Sequence, residues 1–215
     1  MKNIAIYGAG GFGREVACLI HKINEQTPMW KLIGFFDDTS FLKGKQISHY
    51  GFCIGGMEEL NTWEKSLSVV IAIGTPTAIA TIAKEIQNPN IDFPNIIHPN
   101  FNIDDPETFQ IGKGNIIQGG CSVSCDVSIG DFNLVNASVV FGHDVKTGNY
   151  NTFMPNVRIS GEVNIGDRNF FGVGSIILQQ IKIGNKIRLG AGSVLMTQPK
   201  DGNLYIGNPA KKTVF

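Results

Sequence analysis

Charge is scarce in this 215-residue chain and carries no excess of sign: charged residues make up 17%, and 18 basic side chains balance 18 acidic ones. Holding a nucleic-acid backbone calls for a basic surplus or stripe, so nucleic-acid binding is not expected. No apolar run approaches the ~18 residues that cross a bilayer, so membrane insertion is not expected either. Cysteine is sparse. Cys18, Cys53, Cys121 and Cys125 form no pair at metal-ligand spacing, and no metal site is expected. Nothing ahead of Ile4 resembles a signal peptide, so a cytoplasmic protein with reduced thiols is expected. Hydrophobic content of 42% excludes wholesale disorder. Glycine is abundant instead: 26 residues, roughly 12% against a typical ~7%. That points to many tight turns and few long solvated helices.

The chain then reads in two grammars. Lys2–Tyr7 (KNIAIY) is a short apolar strand. It runs into Gly8, Ala9, Gly10, Gly11, Phe12 and Gly13, and then into a helix whose Val16, Leu19, Ile20 and Ile23 share one face. Trp30–Phe36 reads as a second strand ending in Asp37 and Asp38. Ser68–Ile73 is a continuous apolar run, which suits a parallel strand buried on both faces, and a helix follows from about Thr77 to Ile86. Strand, crossover helix and strand predict a small Rossmann-like βαβ domain over residues 1–98.

From Ile111 the pattern changes. Every sixth residue from Ile111 to Leu195 is apolar except Thr147. Gly112, Gly130, Gly148, Gly166 and Gly184 recur at eighteen, as do Asn115, Asn133, Asn151 and Asn169. A hexad with an apolar lead predicts a parallel β-helix of about five triangular coils, lead residues inward and Gly and Asn at left-handed turns. The expected fold class is therefore α/β plus β-solenoid, with the solenoid over 99–199 and a cap over 200–215. A homotrimer is expected, with Phe132, Leu134 and Phe170 as candidates for its apolar surface.

Several motifs together resemble the NeuD/PglD family of bacterial sugar acyltransferases. They are Tyr7 to Gly13, Phe36-Asp37-Asp38, Ala72-Ile73-Gly74, Ile97-His98-Pro99, Gly142-His143-Asp144, and Gly207-Asn208-Pro209-Ala210-Lys211. The resemblance implies that the solenoid is a left-handed β-helix and that the chain is an acetyltransferase. It implies transfer from acetyl-CoA, as co-substrate, to a nucleotide sugar, by a homotrimer with active sites at subunit interfaces.

Acyl transfer needs a base, and histidine is best matched to neutral pH. Of four histidines, His21 lies off the apolar helix stripe, His49 falls in an irregular stretch, and His98 marks the domain junction. His143 sits third in a mid-solenoid hexad, where the family places its catalytic histidine. Asp144 can orient it, provided that the backbone turns there, because adjacent strand residues face opposite ways. Gly8, Gly10 and Gly13 fit a strand–turn–helix phosphate loop, and NAD is the first reading of such a loop. A domain of about 100 residues is one mononucleotide-binding half, which argues against NAD. The resemblance implies that Gly10, Gly11, Phe12, Asp37, Asp38 and Gly74 receive the sugar nucleotide instead. It places Thr152, Gly172, Val173, Gly190 and Ala191 against acetyl-CoA. N-acetylation of a UDP- or dTDP-4-amino sugar is the leading reading. Sialic acid O-acetylation, a non-catalytic nucleotide-sugar-binding trimer and a dehydrogenase are the alternatives.

Overall fold

The computed structural model describes residues 1–213; residues 214 and 215 of the expected cap lie outside them. The chain divides into two compact units, residues 1–74 with 78–99, and 75–77 with 100–215.

The first unit is a parallel sheet. Its strands are β1 (Lys2–Tyr7), β2 (Trp30–Phe36), β3 (Cys53–Gly55), β4 (Leu67–Ile71) and β5 (Ile91–Asp92), in the order β3-β2-β1-β4-β5. All neighbours run parallel, which requires crossovers. Helices α1 (Gly11–Gln26), α2 (Met57–Asn61) and α3 (Pro76–Glu85) lie in the β1–β2, β3–β4 and β4–β5 connections, and a loop with one short 3-10 turn, Ser40–Leu42, joins β2 to β3. β1 from Ile4 to Tyr7 and all of β4 are buried on both faces, as suits parallel strands covered on either side. The α1 stripe is buried at Val16, Leu19 and Ile20. The sequence reading missed β3 and α2, which are too short to show a period.

The second unit is a parallel β-helix of two-residue strands. A first wall runs from Asn102–Ile103 to Val194–Leu195, and a second from Gln110–Ile111 to Lys182–Ile183. A third runs from Ile116–Ile117 to Arg188–Leu189. From Ile117 onward the lead residue is buried, and the leads stack: the Phe153 and Phe171 rings lie parallel at 4.9 Å, with Phe141 edge-on to Phe153 at 5.2 Å. The solenoid starts one wall earlier than the period showed. Asn102–Ile103 pairs with Ser122–Val123, twenty residues on, so the first coil is two residues longer than the repeat. At the far end Leu204–Gly207 pairs in parallel with Arg188–Leu189, and Ala210–Thr213 returns antiparallel to it.

The turns correct one expectation. The recurring Gly and Asn residues do not occupy the left-handed positions. Those belong to Asp126, Phe132, Ser138, Asp144, Tyr150, Asn156, Glu162, Arg168, Gln180 and Lys186, with φ between 53° and 64°, and to four other glycines, Gly114, Gly120, Gly174 and Gly192, with φ between 64° and 74°. Left-handed backbone costs an L-residue roughly 1–2 kcal/mol. Each such N–H is paired with the preceding coil, as in Tyr150 N–H to Asp131 O at 2.9 Å and Lys186 N–H to Asp167 O at 3.0 Å. The recurring glycines answer to stacking instead. A Cβ on Gly130 would lie 2.6 Å from the Gly148 carbonyl oxygen. The asparagines form a buried ladder in which Asn115 Oδ1 accepts from Asn133 N–H at 2.8 Å, and so on through Asn151 and Asn169.

Candidate active site

Three corners join the three walls, and they carry different chemistry. His143 and Asp144 lie on the corner between the first and second walls. Asp144 has φ 58°, the turn that lets two adjacent side chains meet. His143 Nδ1 and Asp144 Oδ2 are 2.8 Å apart, and each side chain is 55% exposed. With Nδ1–H donated to the carboxylate, Nε2 is left as the free base.

The imidazole is seated on the next coil. Gly161 lies eighteen residues on, and a Cβ there would fall 2.4 Å from His143 Nε2 and 2.5 Å from Cε1. Any larger residue would displace the ring. One coil in the other direction lies Cys125, whose carbonyl accepts from Asp144 N–H at 3.0 Å. Sequence reasoning missed both residues, although reading the eighteen-residue column through His143 finds them. Cys121 is buried on a different corner, where desolvation pushes its thiol above the usual range. Of the remaining histidines, His21 and His49 flank Tyr50 on the surface of the first unit, and His98 is half-buried.

The corner between the third and first walls carries Gly172, Val173, Gly190 and Ala191. A Cβ on Gly172 would meet Ala191 N at 2.5 Å, and one on Gly190 would meet Ile206 Cγ1 at 2.9 Å, so coil packing alone demands both glycines. Val173 is 45% exposed and Ala191 is exposed, giving an edge of small side chains. Thr152 is fully buried in its own chain and is not part of that edge. Phe132 and Leu134 are buried as well, because Phe132 stacks on Tyr150 at 5.6 Å, so neither supplies an apolar face to a trimer. Phe170 is half-buried.

In the first unit the glycine turn divides by function. Gly8 has φ 110°, and a Cβ there would lie 2.7 Å from the Ala72 carbonyl oxygen; one on Gly13 would lie 2.0 Å from that of Gly8. Gly13 thus packs α1 onto the end of β1, and Gly8 packs that turn against the residues that follow β4. Gly10, Gly11 and Gly74 are exposed, and a Cβ on any of them would meet nothing closer than 3.9 Å. Phe12 is half-buried beside them in sequence. Asp37 and Asp38 brace the turn. Asp37 accepts from Ala9 N–H at 2.8 Å and Thr39 N–H at 2.9 Å, and Asp38 accepts from Met57 N–H at 2.8 Å and the Tyr7 hydroxyl. Burial pushes the Asp37 carboxyl up, but the bonds from Ala9 and Thr39 outweigh it and hold the group below its usual range. Burial and the Asp38 carboxylate push the Tyr7 phenol far above its own.

Residues 3–86 match the family described as the PglD N-terminal domain. No curated protein sequence matches the chain. Among solved structures, the acetyltransferase domain of PglB from Neisseria gonorrhoeae FA1090 superposes with a TM-score of 0.88 at 25% identity, covering 99% of this chain and 100% of that one. The same PglB domain is known in complex with acetyl coenzyme A, with a TM-score of 0.87 at 25% identity and 99% of both chains covered. PerB from Caulobacter crescentus, solved with CoA and GDP-perosamine, has a TM-score of 0.89 at 24% identity, covering 100% and 98%, and supports the fold alone. The match over the first unit and the full-length likeness to PglB bear out the NeuD/PglD resemblance and the β-helix fold. Among the described residues, no helix is long and apolar enough to cross a membrane, and no cluster of side chains forms a metal site.

Proposed function

We propose that the chain is an acetyl-CoA-dependent acetyltransferase that N-acetylates a nucleotide-activated amino sugar, of the UDP- or dTDP-4-amino-sugar type, as a cytoplasmic homotrimer. The observation that carries the reading is the His143–Asp144 contact on an exposed solenoid corner, with Nε2 unspent. The likeness to the PglB acetyltransferase domain in complex with acetyl coenzyme A supports the donor.

The exposed edge of Val173 and Ala191 fits a pantetheine arm, with Gly172 and Gly190 giving close access to backbone amides. Gly10, Gly11, Phe12 and Gly74 receive the nucleotide. Their lack of any packing reason to be small supports this for the three glycines. Asp37 and Asp38 shape the turn, and each carboxylate oxygen keeps capacity for a ribose hydroxyl.

The acceptor amine attacks the thioester carbonyl, forming the C–N bond. His143 Nε2 takes the proton that the nitrogen must shed, and Asp144 stabilises the imidazolium. Collapse of the tetrahedral intermediate breaks the C–S bond, and the imidazolium proton passes to the departing thiolate. Attack is direct, so no acyl group rests on Cys125. His143→Ala is expected to lower kcat by roughly 10²–10⁴-fold with little change in KM. Asp144→Asn should cost less, because the base remains. The assay is acetylation of UDP-, dTDP-, GDP- and CMP-amino sugars by the purified chain. Near-normal turnover in His143→Ala, or an acetylated enzyme seen by mass spectrometry, would refute the mechanism.

A further inference from the structure

Beside β3, the edge strand of the first unit's sheet, lies a cleft that shares no residue with the proposed nucleotide seat. Ile54, Glu59, Thr62, Trp63, Glu64 and Lys65 enclose about 430 Å³, a volume within the range of small-molecule sites. The turn that carries four of these residues is pinned along its length. Trp63 O accepts from Asn88 Nδ2 at 2.7 Å, and Glu64 O accepts from Asn90 Nδ2 at 3.0 Å. Asn61, the last residue of α2, donates to Glu85 O and accepts from Gln87 N–H, each at 2.9 Å. Side chains presented from a fixed turn lose little freedom when a ligand binds.

The floor of the cleft is apolar. Two side-chain carbons of Ile54 come within 3.0 Å of the place a Gly34 Cβ would take, so Ile54 lies flat on β2. The half-buried Trp63 ring meets Phe36 edge-on, with centroids 6.0 Å apart at 90°. The rim is polar, and its charges cancel. Glu59 is engaged by the Lys43 ammonium and by the Gly56 N–H at 2.7 Å. Glu64 and Lys65 are exposed, and neither side chain forms an ion pair or hydrogen bond among the described residues. The indole N–H of Trp63 donates to no described group either. The Thr62 hydroxyl gives its hydrogen to Glu58 O at 2.9 Å and keeps a lone pair.

The unspent groups are therefore an indole N–H and an ammonium as donors, with a carboxylate and a hydroxyl oxygen as acceptors. An anion finds no surplus of positive charge here, and a cation finds no surplus of negative charge. The cleft fits a neutral ligand with one apolar face and a rim of hydroxyls that both donate and accept. A pyranose ring has that form, and its C–H hydrogens suit the negative face of an indole. We propose that this cleft binds a neutral saccharide, with Trp63 as its platform and Glu64 and Lys65 as partners of its hydroxyls. The binding does not rest on the proposed function.

The test is saturation-transfer NMR on the full chain with methyl glucoside, methyl galactoside, N-acetylglucosamine and maltotriose as probes. At least one should bind with a Kd in about the millimolar range. Because the ligand is uncharged, that affinity should hold between low and high salt. The bound probe should also shield Trp63 from acrylamide quenching, a readout that Trp30, 6% exposed, leaves clear. Trp63→Ala should weaken binding at least tenfold. Glu64→Ala with Lys65→Ala removes only exposed, unpartnered side chains, so the fold should hold. That protein should bind the saccharide about tenfold more weakly, the worth of hydrogen bonds to charged groups, and bind UDP as wild type does. No saturable binding of any probe overturns the inference, as does an affinity unchanged in the Glu64→Ala/Lys65→Ala protein or one that falls with salt. A chain that binds the saccharide and acetylates nothing would sink the proposed function and leave this site standing; a chain that acetylates and binds none of the probes would do the reverse.

Discussion

Replacing Gly161 by alanine tests whether the seat of the imidazole matters as much as the imidazole. The added methyl would lie 2.4 Å from His143 Nε2, 2.5 Å from Cε1 and 2.9 Å from Cδ2. Ordinary carbon contacts begin near 3.4 Å, so the ring must recede by about 1 Å or swing into solvent. The backbone is not the obstacle, because Gly161 is absent from the residues with positive φ. A misplacement of about 1 Å costs on the order of 10²-fold in rate. Gly161→Ala should therefore lose about 10²-fold in kcat, the low end of the loss expected for His143→Ala. Stability should hold: the displaced side chain is 55% exposed and has room to move, so Tm is expected to shift by under about 2 °C. Steady-state kinetics beside a thermal melt make the assay. A folded Gly161→Ala protein with wild-type kcat would show that the ring's position on this coil is irrelevant to turnover.

Thr147 interrupts the inward column of isoleucines, and its buried hydroxyl has no hydrogen-bond partner among the described residues. Thr147→Val should therefore add about 1 kcal/mol and raise Tm by roughly 3 °C; a lower Tm would refute that account. Asn151→Ala removes the Oδ1 that accepts from Asn169 N–H and the Nδ2 that donates to Gly166 O. Leaving those buried groups unpaired should cost roughly 3 kcal/mol, measured by denaturant unfolding, and a change below 1 kcal/mol would count against the ladder's role. Asp37 has its pKa depressed in the folded state, so its stabilising contribution is full above the ordinary carboxyl range and fades as pH falls through the folded value. The gap in Tm between wild type and Asp37→Asn should therefore be open at pH 7 and close under strong acid; a gap that widens on acidification would contradict the assigned sign. Asp37→Ala with Asp38→Ala should raise KM for the sugar nucleotide and leave that for acetyl-CoA unchanged, as initial-rate kinetics would report.

The period was legible because each coil repeats one physical demand, an apolar residue inward at every sixth position. The coil before it was not, since two extra residues between Ile103 and Ile111 break the register while the strand pairing survives. Gly130 and its equivalents were visible, but their reason was not. A sequence shows a glycine and not the neighbouring carbonyl 2.6 Å from where its Cβ would be. The left-handed corners were signalled only where glycine stands, at Gly114, Gly120, Gly174 and Gly192; Phe132, Tyr150, Arg168 and Lys186 are residues that free peptides keep out of that region. Coil-to-coil hydrogen bonding holds them there. His143 and Asp144 were legible as a motif, whereas the bracing of the glycine turn by Asp37 depends on a contact across 28 positions that no local pattern announces.

Two offsets organise the chemistry of this fold. In an extended strand, residues i and i+1 face opposite ways, which would separate His143 from its carboxylate. At a solenoid corner the second residue turns left-handed, and neighbours in sequence become neighbours in space. The cost of that turn is already met at each corner by a hydrogen bond to the preceding coil, so Asp144 needs no special device to reach Nδ1. The other offset is eighteen, which sets Gly161 against the imidazole and Arg168 over Tyr150. A substitution on any corner is thus felt first one residue away and one coil away. The first places the acid beside the base, and the second decides how far the base can move.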